Sequence, residues 1–348
     1  MSNDILPDLV DWANQVDPDG AIAELAWLLA QSNGVLKDMM WDEGNLPNGH
    51  VVSALIGLPQ GTYRAYNQGV ASSKAAFAQY QFALGNLTDY SKVDKDMAML
   101  GGNVKQFRFN QDQTHVMGLS QQVARDIFYA SEAISPNSFT GFFAYYNALT
   151  PANGAQTSQN VISAGGTGTS NASIFLAGWG RQSAFCFYPK GSKAGLAWED
   201  KGDIVPLTDQ YGNRFEGYTT YLNWKLGLAI ANWQYNVRIP NIDTTINGIF
   251  GSSAPDLFAL MSDAATHLPE WTLNTSGITD TDSPVSNMGL RPAWYCNRTV
   301  RSALDRQAMR DKNVLLTIDD FAGKPTIGWR SIPIRVCDGL LNTESTIS

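Results

Sequence analysis

Between Trp41 and Gln81 the chain reads WDEGNLPNGHVVSALIGLPQGTYRAYNQGVASSKAAFAQYQ, with two prolines and five glycines set among apolar and aromatic residues. That density of breakers predicts extended strands and turns. No hydrophobic stripe of its own runs through the segment. A two-stranded ribbon of this length is marginal alone in water. Residues 41–85 must therefore lie on something else. The first forty residues pose a similar problem. Pro7 and Pro18 break the chain, Asp19 can cap a short helix, and Ile22, Leu25, Leu28 and Leu29 recur at helical spacing. This is the pattern of an arm, not of a domain.

The remaining 260 or so residues hold the core-forming elements (on the order of two domains' worth of chain). The clearest is a helix from about Asn103 to Ala130, with Val116, Leu119, Val123 and Ile127 on one face and Gln121, Gln122 and Arg125 on the other. At 1.5 Å per residue it is about 40 Å long, which makes it the expected spine of one unit. A glycine-rich loop, AGGTGTSN (164–171), precedes the extended run SIFLAGW (173–179). Strands are expected at Ala184–Tyr188 and across Gly217–Ile242. In the latter, Leu222, Trp224, Leu226, Leu228 and Ile230 occupy even positions, and Trp233, Tyr235, Val237 and Ile239 odd ones. A period-two pattern that changes phase at Ala231-Asn232 predicts a turn or bulge there. Further on, Ser253 can cap a helix with Leu257, Leu260, Met261, Ala264 and Leu268 in a stripe. An acidic loop (275–287), a strand AWYC (293–296), a helix opened by Asn297 with Val300, Leu304 and Ala308 on one face, a strand at Val314–Ile318 and two short strands over 323–337 close an α+β chain.

Charge and chemistry exclude more than they suggest. Charged residues are 16% of the 348, and 24 Lys and Arg stand against 32 Asp and Glu, a net charge of -8. Tight nucleic-acid binding needs clustered cations that displace counterions, so it is not expected. Cys186, Cys296 and Cys337 are an odd number without C-x-x-C spacing, and His50, His115 and His267 are scattered. Neither a disulfide framework nor a transition-metal site is indicated. AGGTGTSN lacks the Lys and the following helix of a phosphate loop, and also the glycine order of a dinucleotide fold. Asp280 and Asp282 lack the spacing of a calcium loop. His115 has no ligand partner at i+4 and reads as a structural histidine. Asp94, Lys95 and Asp96 read as a solvated helix face, and Trp224, Trp233 and Tyr235 as core or subunit contacts. No basic and apolar leader and no apolar run of 18 residues occurs in the sequence, which predicts a protein kept in a cytoplasm and off the membrane. No catalytic constellation, cofactor site or metal site is predicted. An arm, a glycine-rich ribbon and few surface charges point to a chain that pairs its edges with copies of itself.

Specific strings extend this reading. WDEGNLPNGH (41–50), GLPQGTYRAYNQGVASSK (57–74), AGGTGTSNASIFLAGWG (164–180), PKGSKAGL (189–196), KLGLAIANWQYNVRIPNID (225–243), WYCNRTVRSALDRQA (294–308) and GKPTIGWRSIPIRVCDGLLNTE (323–344) resemble the major capsid protein of epsilon-15-like short-tailed bacteriophages. The likeness runs in order along nearly the whole chain and is weakest over 245–290. The resemblance implies an α+β Hong Kong 97-type capsid fold. It implies an N-terminal arm at 1–40, an E-loop at 41–85, and a P-domain at 86–244 with the spine helix at about 103–130. Part of 141–200 is left open between that domain and the next. An A-domain at 245–335, with the loop 275–287 at or near its tip, and a C-terminal segment at 336–348 complete the chain.

The implied function is mechanical. Copies join as pentamers and hexamers into an icosahedral shell around double-stranded DNA, which the acidic wall touches weakly and without sequence specificity. Portal, scaffold and decoration proteins are implied as further partners. The expected location is the virion, after synthesis and assembly in the host cytoplasm. Glu43, Arg64 and Lys74 are charges in an otherwise neutral ribbon and are the expected intersubunit contacts. Some members of the wider fold link a Lys to an Asn with a Glu as base. Lys74 lies in the right kind of loop, but no pattern places its partners, so crosslinking is not expected. The competing readings are a bacterial compartment shell of the same fold and an α+β enzyme with a dispersed site.

Overall fold

The computed structural model describes residues 33–348 apart from 101, 150–155, 203, 210, 252–253, 270–289, 311–315, 322–323 and 331. The expected arm up to residue 32, the cap at Ser253 and the acidic loop 275–287 lie outside the described residues. A single helical turn, α1 (Val35–Asp38), leads into β1 (Trp41–Glu43) and two long strands, β2 (Gly49–Gly57) and β3 (Ala76–Ala83). β4 (Gly85–Asp94) runs directly into α2 (Lys95–Leu100). The carboxylate of Asp94 marks the junction, accepting the N–H groups of Asp96 and Met97 at 2.8 and 3.3 Å, so it ends the strand by capping the helix.

The long helix is α3, Val104–Tyr129. Asn103 accepts the Gln106 N–H at 3.2 Å at its start. Leu119, Val123 and Ile127 are buried while Gln122 and Arg125 are exposed, as the 3.6-residue period requires. After α4 (Phe142–Tyr145) the strands β5 (Asn171–Trp179), β6 (Ala184–Tyr188), β7 (Leu196–Asp200), β8 (Val205–Thr208), β9 (Arg214–Ile230) and β10 (Asn236–Asp243) follow. The phase change expected at Ala231-Asn232 is a real break. β9 ends at Ile230 and a single 3-10 turn covers Trp233–Tyr235, so these two aromatics belong to the turn and not to a strand. Then come α5 (Ile246–Phe250), α6 (Leu257–His267), β11 (Arg291–Cys296), α7 (Arg298–Arg310), β12 (Leu316–Phe321), β13 (Lys324–Trp329) and β14 (Ile332–Val336). α6 is capped by Asp256, whose carboxylate accepts from Phe258 and Ala259 at 3.0 and 3.1 Å. The cap expected at Ser253 falls there instead, because only Asp256 directly precedes the helix. Asn297 opens α7 as expected, accepting the Val300 N–H at 2.8 Å.

The described residues form two compact units. One comprises residues 86–123 and 195–225. In it β7 and β8 pair antiparallel with successive stretches of β9, Trp198 opposite Leu222 and Leu207 opposite Phe215. Val93, Met97, Ala98 and Phe107 form its buried cluster. Polar groups tie helix to sheet. The Thr220 hydroxyl donates to buried Asp112 at 3.0 Å, and Arg108 pairs with Asp200 while its guanidinium lies 4.7 Å from the Tyr218 ring centre. The charges read as a solvated face are more engaged than that, since Lys95 pairs with Glu216 at 3.0 Å.

The other unit comprises 32–85, 124–194 and 226–348. β5 lies at its centre, antiparallel to β10 on one edge and to β11 on the other. β11 runs parallel to β14, and β14, β13 and β12 follow in antiparallel order. β6 is antiparallel to the end of β9 and parallel to β1. β5 is buried at every residue. One of its faces meets α6 and α7 through Ile174, Leu176, Met261, Trp294, Val300 and Leu304. The other carries Phe175, whose ring centre lies 4.7 Å from that of Phe142 and 5.9 Å from that of Phe128. At about 25 cal/mol per Å² of apolar surface removed from water, this aromatic packing contributes heavily to holding the unit together. The glycine loop before β5 passes close to the bulge in β10. A Cβ at Gly166 would come within 2.5 Å of the Asn241 carbonyl oxygen, and Asn241 itself has φ +61°, a conformation that Asn tolerates better than most residues.

Candidate intersubunit surface

β2 and β3 form a separate two-stranded antiparallel ribbon, with Val52 opposite Tyr80 and Leu55 opposite Phe77. Only its root is buried. Phe82 joins a cluster with Phe185, Phe187 and Ala229. His50 stands edge-on to Phe185 with ring centres 5.2 Å apart. Burial lowers the His50 pKa from the usual 6.5, Asp42 pulls it up and Arg181 pushes it down. Its Nδ1 accepts the Asn45 N–H at 3.3 Å, so the neutral ring is the form built into the root. Asn45 also exchanges two hydrogen bonds with Val51, at 2.7 and 2.8 Å, which fixes where the ribbon leaves the sheet.

Beyond the root the ribbon packs on nothing among the described residues. Leu55, Ile56, Leu58, Val70, Phe77 and Tyr80 are exposed, and Tyr63 and Tyr66 at the tip are fully so. Residues 58–75 carry no regular structure beyond a turn near Tyr66-Asn67. Exposed apolar side chains scattered singly are ordinary, but eight between Leu55 and Tyr80 mark an interaction surface. Both strands are also edge strands with free backbone groups.

The three charges expected to make intersubunit contacts are not alike. Glu43 accepts the Gly191 N–H at 2.7 Å and so already has a partner in its own chain. Its neighbour Asp42 pairs with Arg181 at 2.7 Å. Arg64 donates to the Gln68 carbonyl at 2.9 Å, a bond within its own loop that leaves the guanidinium exposed. Lys74 is exposed and makes no ion pair among the described residues. The structure does not bring the three together.

The three cysteines are free and buried. Desolvation pushes the Cys296 and Cys337 thiols up to about 12 and Cys186 up further, so no thiolate nucleophile is available near neutrality. Among the described residues no group of three or more His, Cys, Asp or Glu could hold a metal ion, and Asp280 and Asp282 lie outside them. The loop 164–171 leads into a strand, which denies it the helix N-terminus that a phosphate site uses. His115 does have a carboxylate partner, Asp89 at 2.6 Å. Asp89 is 26 residues away, so no local motif could have shown it. The pair borders an open notch of about 450 Å³ beside Gly118. No helix among the described residues is long and apolar enough to cross a membrane.

A chain with a buried mixed sheet, a 26-residue helix and a long unsupported ribbon is built to be completed by neighbours, as the subunits of a protein shell are. The chain belongs to the Major capsid protein GP7 family, whose model matches residues 17–348. Among solved structures it is similar to that of bacteriophage epsilon15, with a TM-score of 0.75 and 27% identity over 100% of this chain and 99% of the other. It shares its fold with the bacteriophage JBD30 capsid, TM-score 0.50 at 11% identity, covering 91% and 95% of the two chains. The likeness to the SrpI encapsulin of Synechococcus elongatus PCC 7942 is weaker, TM-score 0.43 at 10% identity over 68% of this chain and 96% of that one. No curated protein matches. The fold is therefore of the Hong Kong 97 type, and the protein is a structural component of a phage capsid shell, part of the virion.

Proposed function

We propose that this protein closes, as pentamers and hexamers, into the icosahedral shell that holds the double-stranded DNA of a tailed phage. The observation that carries the reading is the ribbon: β2, β3 and the connection between them expose apolar side chains that nothing among the described residues covers. In this assignment residues 41–85 are the E-loop, laid over a neighbouring copy, and α3 is the spine of the P-domain. Residues 245–335 are the A-domain, and the chain's first forty residues the arm. Glu43, Arg64 and Lys74 are exposed charges placed to pair across the interface, Glu43 while also holding the Gly191 turn. The role is structural and not catalytic. A net charge of -8 suits a container wall, because mild repulsion of phosphate leaves DNA free to enter and leave. Portal, scaffold and decoration proteins are the expected further partners, and the bacterial cytoplasm is the place of synthesis.

Electron microscopy of the purified full-length protein tests this, with a scaffold supplied where it is needed. Uniform closed shells are expected. Small oligomers alone, in the presence of the scaffold, would contradict it.

A further inference from the structure

The last residues of the chain contribute to a buried charge centre that takes no part in the ribbon. As β11 turns into α7 at Arg298, its pairing with β5 stops at Tyr295 opposite Phe175. Continued in register, the place opposite Asn171 would fall to Thr299, which is already helical. Glu344 takes that place: its N–H donates to the Asn171 carbonyl at 2.9 Å, and the Asn171 N–H returns a bond at 3.4 Å. The segment from Leu341 onward thus finishes an edge of the central strand that the regular sheet leaves open.

The side chain of Glu344 fixes the segment there. It lies beneath the surface, 6% exposed, and pairs at 2.8 Å with Arg238, which is 5% exposed. Both carboxylate oxygens and all three guanidinium nitrogens of the pair are hydrogen-bonded. Tyr129 donates its hydroxyl to Glu344, and Ser173 donates to the same carboxylate. Arg238 donates to the Tyr146 carbonyl at 2.9 Å and to Ser173 at 3.2 Å, and its guanidinium lies 3.7 Å from the Phe143 ring centre. A second set of contacts follows the first. Asn241 holds Ile347 by both its N–H and its carbonyl, at 2.9 and 2.8 Å. Thr346 donates to the Gly168 carbonyl at 2.7 Å and accepts from Asn171 at 3.1 Å. The Leu341 N–H donates to the Tyr129 hydroxyl at 2.9 Å.

A charge pair desolvated to this degree is unforgiving. Removing one partner strands the other in a low-dielectric interior, whereas replacing both with apolar groups is often harmless. We infer that residues 341–348 are a latch, held shut by the Arg238–Glu344 pair, which opens locally while the rest of the unit stays folded and which covers the Asn171–Ser173 edge of β5 when shut. An open strand edge is a template for wrong pairing, so the latch protects a subunit from associating through the wrong surface. The latch lies within one chain and stands whether or not the shell reading does.

Hydrogen exchange on the soluble full-length chain reads the latch directly, through the amides of Leu341, Glu344 and Ile347 against those of α6 in the same unit. Glu344→Gln should speed exchange in 341–348 by roughly tenfold or more and leave α6 within about twofold. The double variant Arg238→Met with Glu344→Met should return the segment to within about threefold of the wild type. Should Glu344→Gln prove insoluble, Thr346→Ala removes two latch bonds without stranding a charge, and should speed exchange in 344–348 by roughly threefold. Equal acceleration of the segment and α6 would overturn the inference, because the pair would then serve global stability alone. So would wild-type exchange in both Glu344→Gln and Thr346→Ala.

Discussion

The second unit contains two antiparallel strand pairs of the same size. β5 and β10 have nine and eight residues, as have β2 and β3. In the first pair every residue but Asp243 is buried. In the second only Gly49 and Phe82 are. Backbone pairing is the same device in both, so pairing does not decide which is stable by itself. What differs is the cover. β5 and β10 are roofed by α6 and α7 on one face and by the aromatic cluster around Phe175 on the other. Among the described residues the ribbon has cover only at its root, where His50, Val52 and Phe82 meet Phe185, Phe187 and Tyr145. A hydrogen-bonded ribbon is at best marginal without a packed face, so on the proposed reading the β2–β3 ribbon draws its stability in the shell from other copies.

The sharpest way to break this contrast is to attack each pair with a comparable change. Phe175→Ala empties the centre of the aromatic cluster and should cost about 3–5 kcal/mol of stability, read by denaturant unfolding of the soluble chain. Replacing Leu58, Tyr63 and Tyr66 together by Ser should leave that unfolding within about 0.5 kcal/mol, as surface changes do, yet reduce the yield of closed shells by roughly tenfold or more, since buried aromatic anchors dominate interface energies. A loss of chain stability in the triple variant would mean the ribbon has a partner in its own chain.

His50 sharpens the contrast at the point where the ribbon meets the sheet. Its pKa in the folded chain lies below 6.5, chiefly through burial. A depressed pKa means that the folded state disfavours the proton. The contribution to stability is therefore complete above about pH 6.5, the free imidazole value, and is lost as pH falls through the lower folded-state value. Protonation also removes Nδ1 as the acceptor for Asn45. Protection of the amides in 45–57, taken relative to their intrinsic exchange rate at each pH, should fall as pH drops below about 6.5, and His50→Phe should flatten the dependence. An unchanged profile in the variant would place the pH response elsewhere. The smallest effect belongs to Lys74. Charge reversal to Glu should lower shell stability by roughly 0.2–1 kcal/mol per contact, measured by thermal disruption of particles. No change at all would remove Lys74 from the interface.

Much of this was legible in the sequence, for a physical reason. Elements whose burial repeats with a fixed period announce themselves. The face of α3 at Leu119, Val123 and Ile127, the stripe of α6, the cap of α7 at Asn297 and the break after Ile230 were all read from local spacing. The ribbon was legible by default, through its lack of any stripe. Contacts made between residues distant in sequence were not. Arg238 and Glu344 are 106 residues apart, and Asp112 and Thr220 are 108 apart. Each looks like an ordinary polar residue until the fold brings it to its partner. The tie between Glu43 and Gly191 was hidden for the same reason. β7 and β8 escaped notice because they are short and largely exposed, and so carry no burial period.

What covers the ribbon is the central question, and a reconstruction of assembled particles by electron microscopy addresses it directly. Residues 58–75 are predicted to lie against a neighbouring copy, with Tyr63 and Tyr66 buried in that contact. Closed shells in which those residues project into solvent, or fold back onto their own chain, would contradict it.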